Sequence, residues 1–121
     1  MHIWFIRLAA LYFFIGILVG ISMSMTHNFD LVGFHAHVNL LGWVSSAIFG
    51  LIYHHFSSAT SSKLFQWHFW LYNLGFLVMM FGLFFLLQGN PSFEPVIAVG
   101  ALILAGSVLL FLVNMWKNVR A

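Results

Sequence analysis

Four long apolar runs divide the chain, Leu8–Met25, Leu31–Tyr53, Leu64–Leu87 and Val96–Trp116, and most polar positions are confined to the short segments between them. Each run is close to the ~20 residues that an α-helix needs to cross a bilayer. The joining segments T-H-N-F-D, S-S-A-T-S-S-K and Q-G-N-P-S-F-E-P hold no separate domain, and the last carries the Gly and Pro of a turn between two helices. The pattern predicts an all-α, four-helix transmembrane bundle, one integral membrane domain over residues 1–121, with helices at about 3–25, 31–55, 64–88 and 95–117. A cleaved signal peptide is the rival reading of the first run. That run exceeds the ~7–15 residues of a signal core and is followed by no A-x-A-like site, so it is counted as a helix.

Composition agrees with the pattern. Hydrophobic residues make up 63% of the chain and charged residues 5%, with a mean hydropathy of +1.03, which is not the balance of a soluble domain. The absence of cysteine removes disulfides, thiolate metal sites and iron–sulfur clusters. Arg7, Lys63, Lys117 and Arg120 fall on one side of such a bundle, and Asp30 and Glu94 on the other. Lys and Arg favour the cytoplasmic side of short loops, so both termini are expected in the cytoplasm, in a multi-pass protein of the inner (plasma) membrane. The net charge of +2 then reflects topology. With no basic patch, the expected surrounding is the lipid bilayer and no nucleic acid is expected as a partner.

Ionisable groups at membrane depth are costly and usually functional, which directs attention to F-H-A-H-V-N-L-L-G-W, Phe34 to Trp43. His35 and His37 sit about one turn below the outer surface, and two positions on an α-helix are about 200° apart. One metal ion cannot easily take both imidazoles from the same helix. The spacing suits two centres on opposite flanks, or one centre shared with a neighbouring helix or subunit. The stripe of His35 continues through Asn39, Gly42, Ser46 and Gly50, whereas the His37 side continues through Leu41, Val44 and Ile48. Small residues on one face permit close approach of a helix or a flat ligand, so Asn39 and Gly42 join the two histidines as candidate cofactor-binding positions. The plainer alternative is that both histidines are interfacial side chains bonded to headgroups or backbone.

H-A-H-V-N-L-L-G-W, continued by Phe49, Gly50 and Tyr53, resembles the haem-bearing tenth helix in the large subunit of haem-copper oxidases, above all cbb-type oxidases and bacterial nitric oxide reductases. The resemblance covers His35–Tyr53. In that family the two histidines ligate two different haems, and the resemblance implies that His35 and His37 are haem-iron ligands, with haem b as the cofactor. The family's large subunit is built from three four-helix arcs about a pseudo-threefold axis, and this chain resembles one arc. A homotrimer would rebuild the whole ring through head-to-tail interfaces. Two departures limit what is carried over. The family's copper centre needs further histidines, two of them on a neighbouring helix, and Met79–Gln88 has none, so oxygen reduction at a haem-copper pair is not expected. The outer side also lacks the arginines that hold haem propionates, and His27, Asn28 or water would have to replace them.

The function expected from this reading is that of a b-type haem protein passing electrons to and from unidentified redox partners, with no residue assigned as catalytic. Bis-histidine ligation fills both axial positions of the iron, which favours electron transfer, or sensing of a diatomic gas if one ligand is displaced. Two other classes stay open. Met23, Met25 and His27 in M-S-M-T-H form a thioether and imidazole set suited to copper, and the chain could be a non-catalytic subunit or assembly factor of a respiratory complex. His54, His55 and His68, the last between Trp67 and Trp70, are expected in an inner aromatic belt rather than in a metal site. His2 is expected in a disordered terminus. Gly16, Gly20 and Ser24 on the first helix, and Gly75 with Gly82 on the third, are expected to serve tight packing.

Overall fold

The computed structural model of the protein describes residues 2–120. Among them there are four long helices and no strand: α1 (His2–Thr26), α2 (Val32–His55), α3 (Lys63–Leu87) and α4 (Glu94–Asn118). All four are long and apolar enough to cross a membrane, since about 25 residues at ~1.5 Å rise exceed a hydrocarbon core of ~30 Å. His2 belongs to α1 rather than to a disordered terminus, and its ring lies 5.5 Å from that of His54.

Local chemistry explains the helix ends. α1 closes on His27, whose φ of +52° is the left-handed residue that terminates many helices. The loop beyond it is an Asx turn in which Asp30 N–H donates to Asn28 Oδ1 at 2.9 Å. Ser62 caps α3 by accepting from Leu64 N–H at 3.1 Å. The far end of α3 is a Schellman motif: Gly89, at φ +94°, donates to Leu86 O while Asn90 N–H donates to Phe85 O. Pro91 and Pro95 then open the short 3₁₀ turn Pro91–Phe93 and α4, where a missing N–H leaves no bond unmade. The α2–α3 loop is tied to the end of α4, because Ser58 Oγ donates to Asn118 O at 2.7 Å and Asn114 Nδ2 to Ala59 O at 3.0 Å.

Between apolar helices in lipid, close packing and hydrogen bonds must supply the selectivity that hydrophobic burial supplies in water. Glycines provide the packing. Gly75 of α3 lies against α4 so closely that an added Cβ would sit 2.6 Å from Leu104 N and 2.9 Å from Gly100 O. Gly82 meets Ile97 of the same helix. Gly16 and Gly20 of α1 receive Asn39 and His35 of α2, and Gly50 of α2 receives Ile6 of α1. The sequence thus folds as two close pairs, α1 with α2 and α3 with α4. Aromatic rings join them: Phe5, Phe49, Tyr53, Phe65, Phe69 and Tyr72 form one buried cluster, and Tyr12, Val38, Phe76, Met79 and Met80 form a second nearer the α1–α2 loop.

Candidate functional site

His35 is held in a notch on α1. Its Nδ1 is 2.8 Å from Gly16 O, and because a carbonyl only accepts, the proton of the neutral ring resides on Nδ1 and Nε2 keeps its lone pair. The ring lies against Gly20, where a Cβ would approach Cε1 to 2.9 Å. Asn39 fills the notch one turn further along: its Nδ2 donates to His35 O at 2.9 Å, and its Oδ1 lies where a Cβ on Gly16 would sit. The small-residue ridge of α1 therefore exists to admit one imidazole and one amide.

His37 is treated the same way by a different partner. Its Nδ1 donates to Gly33 O, one turn back on its own helix, at 2.7 Å, and the residue is exposed. The two rings thus carry the same tautomer and leave the half-buried notch and the open face of the bundle on different sides of α2. The divergence expected from H-x-H is what the structure has. Donation of the second ring N–H to a backbone carbonyl is the usual way in which a metal-binding histidine is oriented and its basicity raised.

Burial along α2 follows the two expected stripes. Gly42, Ser46 and Gly50 are buried, and Asn39 half-buried, while Val44 and Ile48 are exposed and Leu41 is half-buried. Gly42 is enclosed by Phe76 of α3 and Tyr12 of α1, whose atoms an added Cβ would meet at 2.9 Å. Its open side is used for helix packing within the chain. The regular helix is also interrupted, because Val38–Ser45 winds as a π-helix, a distortion that often marks functional sites.

The structure separates the residues of the copper alternative. Met23 is 7% exposed and lines an outer polar cavity of about 300 Å³ with Ser22, Asn28, Asp30 and Gln88, whereas Met25 is 77% exposed on the other side of α1. His27 occupies the exposed turn. Among the described residues no group of three or more His, Asp or Glu side chains is placed to share a metal ion.

One histidine is corrected outright. His68 does not stand in an interfacial belt: it is 0% exposed, packed by Phe49 at 4.6 Å, Phe5 at 5.2 Å and Phe111 at 5.2 Å between ring centroids. Its Nδ1 is hydrogen-bonded to Tyr53 Oη at 2.8 Å, and its Nε2 is buried without a partner. The signal was present in the helical spacing, since Phe65, His68, Tyr72, Phe76 and Met79 form one stripe and all are buried. The neighbouring Trp67 and Trp70, which suggested a belt, are exposed at 59% and 63% on the opposite face. His54 and His55 are exposed at the end of α2, where a belt is expected.

Compared with protein-family models, curated proteins and solved structures, the chain matches none.

Proposed function

We propose that the protein is a b-type haem protein of electron transfer in which His35 and His37 would hold the iron. The observation that carries this reading is the pair of hydrogen bonds Nδ1–Gly16 O and Nδ1–Gly33 O, which engage Nδ1 of both rings and leave Nε2 of each as the nitrogen that could reach a metal. A haem bound there would supply a one-electron couple, and two imidazole ligands would leave no open position on the iron. Everything else is done by the chain. Gly16 O and Gly33 O fix the tautomer and aim of each ring, Gly20 gives the His35 ring room, and Asn39 braces its backbone.

Because the two nitrogens diverge, one chain cannot place both on the same iron. His37 of one copy and His35 of the next can meet, and a head-to-tail contact repeated about an axis closes a ring. The resemblance to one arc of a three-arc subunit favours a trimer. Native mass spectrometry of the purified protein is expected to give trimers that retain haem. Monomers or dimers with haem retained would contradict the shared site.

Orientation belongs to the same proposal. With Arg7, Lys63, Lys117 and Arg120 inside, both termini and the loop around Ser61 face the cytoplasm of an inner-membrane protein and the histidines lie toward the outer side. A cysteine placed at Ser61 should resist an impermeant thiol reagent added to intact cells and react once the membrane is opened. Ready reaction from outside would invert the topology.

A further inference from the structure

The π-helical stretch Val38–Ser45 lies directly below the candidate ligands, and hydroxyl groups surround its carbonyls. Tyr72 Oη, reaching across from α3, donates to Leu41 O at 2.7 Å. Ser46 Oγ donates to the same carbonyl at 3.4 Å, and Ser45 Oγ donates to Leu40 O at 2.8 Å. Within a membrane bundle no water replaces such bonds, so a widened turn persists only where side chains satisfy the displaced carbonyls. The wide turns have a geometric effect. His35 meets Gly20, Asn39 meets Gly16, and Trp43 stacks on Phe13 at 3.6 Å between centroids. These positions are four apart and all face α1. Two steps of four residues turn a regular α-helix about 80° beyond two full turns. A straight α-register would therefore carry His35 off α1 while Trp43 stayed on it, and the longer i to i+5 spacing of the π turns takes up that drift.

We propose that Tyr72 is a positioning residue for His35: its hydroxyl, with those of Ser45 and Ser46, holds α2 in the π register, and that register keeps the imidazole on Gly16 O. Tyr72 touches neither histidine. Its role is exerted through Leu41 O, about one and two-thirds helical turns below His35.

The test reads the rotation of the outer part of α2 directly. The chain has no cysteine, so Ala36→Cys and Leu109→Cys, both at exposed positions, carry a clean pair of spin labels for pulsed electron–electron distance measurement. Tyr72→Phe keeps the ring and removes only the hydroxyl. It is expected to add a second label distance, displaced by up to about 6–8 Å, the chord of a rotation of roughly 80° about a helix of 10–12 Å diameter. Ser45→Ala with Ser46→Ala, which leaves α3 untouched, should act in the same direction and serves if Tyr72→Phe does not fold. Deleting the exposed Leu40 shortens the His35–Trp43 interval to seven residues, about 700° in a regular α-helix and within ~20° of two full turns. In that background His35 faces α1 without π turns, and Tyr72→Phe should leave the label distance unchanged. An unaltered distance in both hydroxyl variants, or an equal shift with and without Leu40, overturns the proposal. The consequence for iron rests on the haem reading, in which Tyr72→Phe lowers the low-spin signal only when Leu40 is present. The label distance is independent of haem, so the two ideas fail separately.

Discussion

Changing either His35 or His37 to Ala is expected to abolish the low-spin haem spectrum of the whole assembly, leaving five-coordinate iron or haem-free protein. In the proposed ring each iron would take one ligand from each kind of site, so every iron would lose a ligand in either variant. In each variant only the anchor of the missing ring is left empty, Gly16 O in His35→Ala and Gly33 O in His37→Ala. If each histidine instead served its own haem, as in the family that the sequence resembles, either variant would keep about half of the haem with its spectrum intact. Absorption of the two purified variants against the parent separates the cases. His54→Ala and His55→Ala should leave the spectrum unchanged, because those side chains lie roughly 25 Å or more further along α2 at ~1.5 Å per residue. A parental spectrum in both His35→Ala and His37→Ala would place the ligands elsewhere.

The second large effect is on stability. Gly75→Leu is expected to destabilise the bundle by about 1–3 kcal/mol or more, because the new side chain meets Leu104 N and Gly100 O of α4, which are backbone atoms with nowhere to go. Gly106 on α4 has no atom within 4 Å of an added Cβ. Gly106→Leu should cost nothing and can gain the helix propensity that glycine lacks, about 0.8–1 kcal/mol at most. Thermal unfolding of both variants in the same detergent, followed by circular dichroism, makes the comparison. Equal midpoints would show that α3 and α4 are not held by this contact.

Periodicity made the four spans, the loops and the divergence of His35 from His37 legible, because each depends on residues close in sequence. A run of apolar residues sets a helix length, and two positions on one helix are separated by a fixed angle whatever lies beside them. What stayed hidden depends on contacts between helices. In an almost uniformly apolar chain, polarity does not mark the inner face of a helix. Thus the aromatic surroundings of His68 suggested an interface, although Trp67 and Trp70 turn outward while His68 turns toward Tyr53. The π turns of α2 are invisible for the same reason. V-N-L-L-G-W-V-S contains no proline, and the shorter of the two hydroxyl bonds to Leu41 O comes from Tyr72, on another helix. Gly42 illustrates the limit from the other side. A small residue announces a close approach, but only the fold says that the neighbours are Phe76 and Tyr12.

The absorption spectrum of the purified protein, first oxidised and then reduced with dithionite, decides whether the bundle holds haem. A six-coordinate, low-spin b-type haem spectrum is expected, sharpening on reduction and unchanged by carbon monoxide, because two histidines would leave no open position on the iron. A protein that folds, assembles and shows no haem absorption, even after reconstitution with hemin, would contradict it.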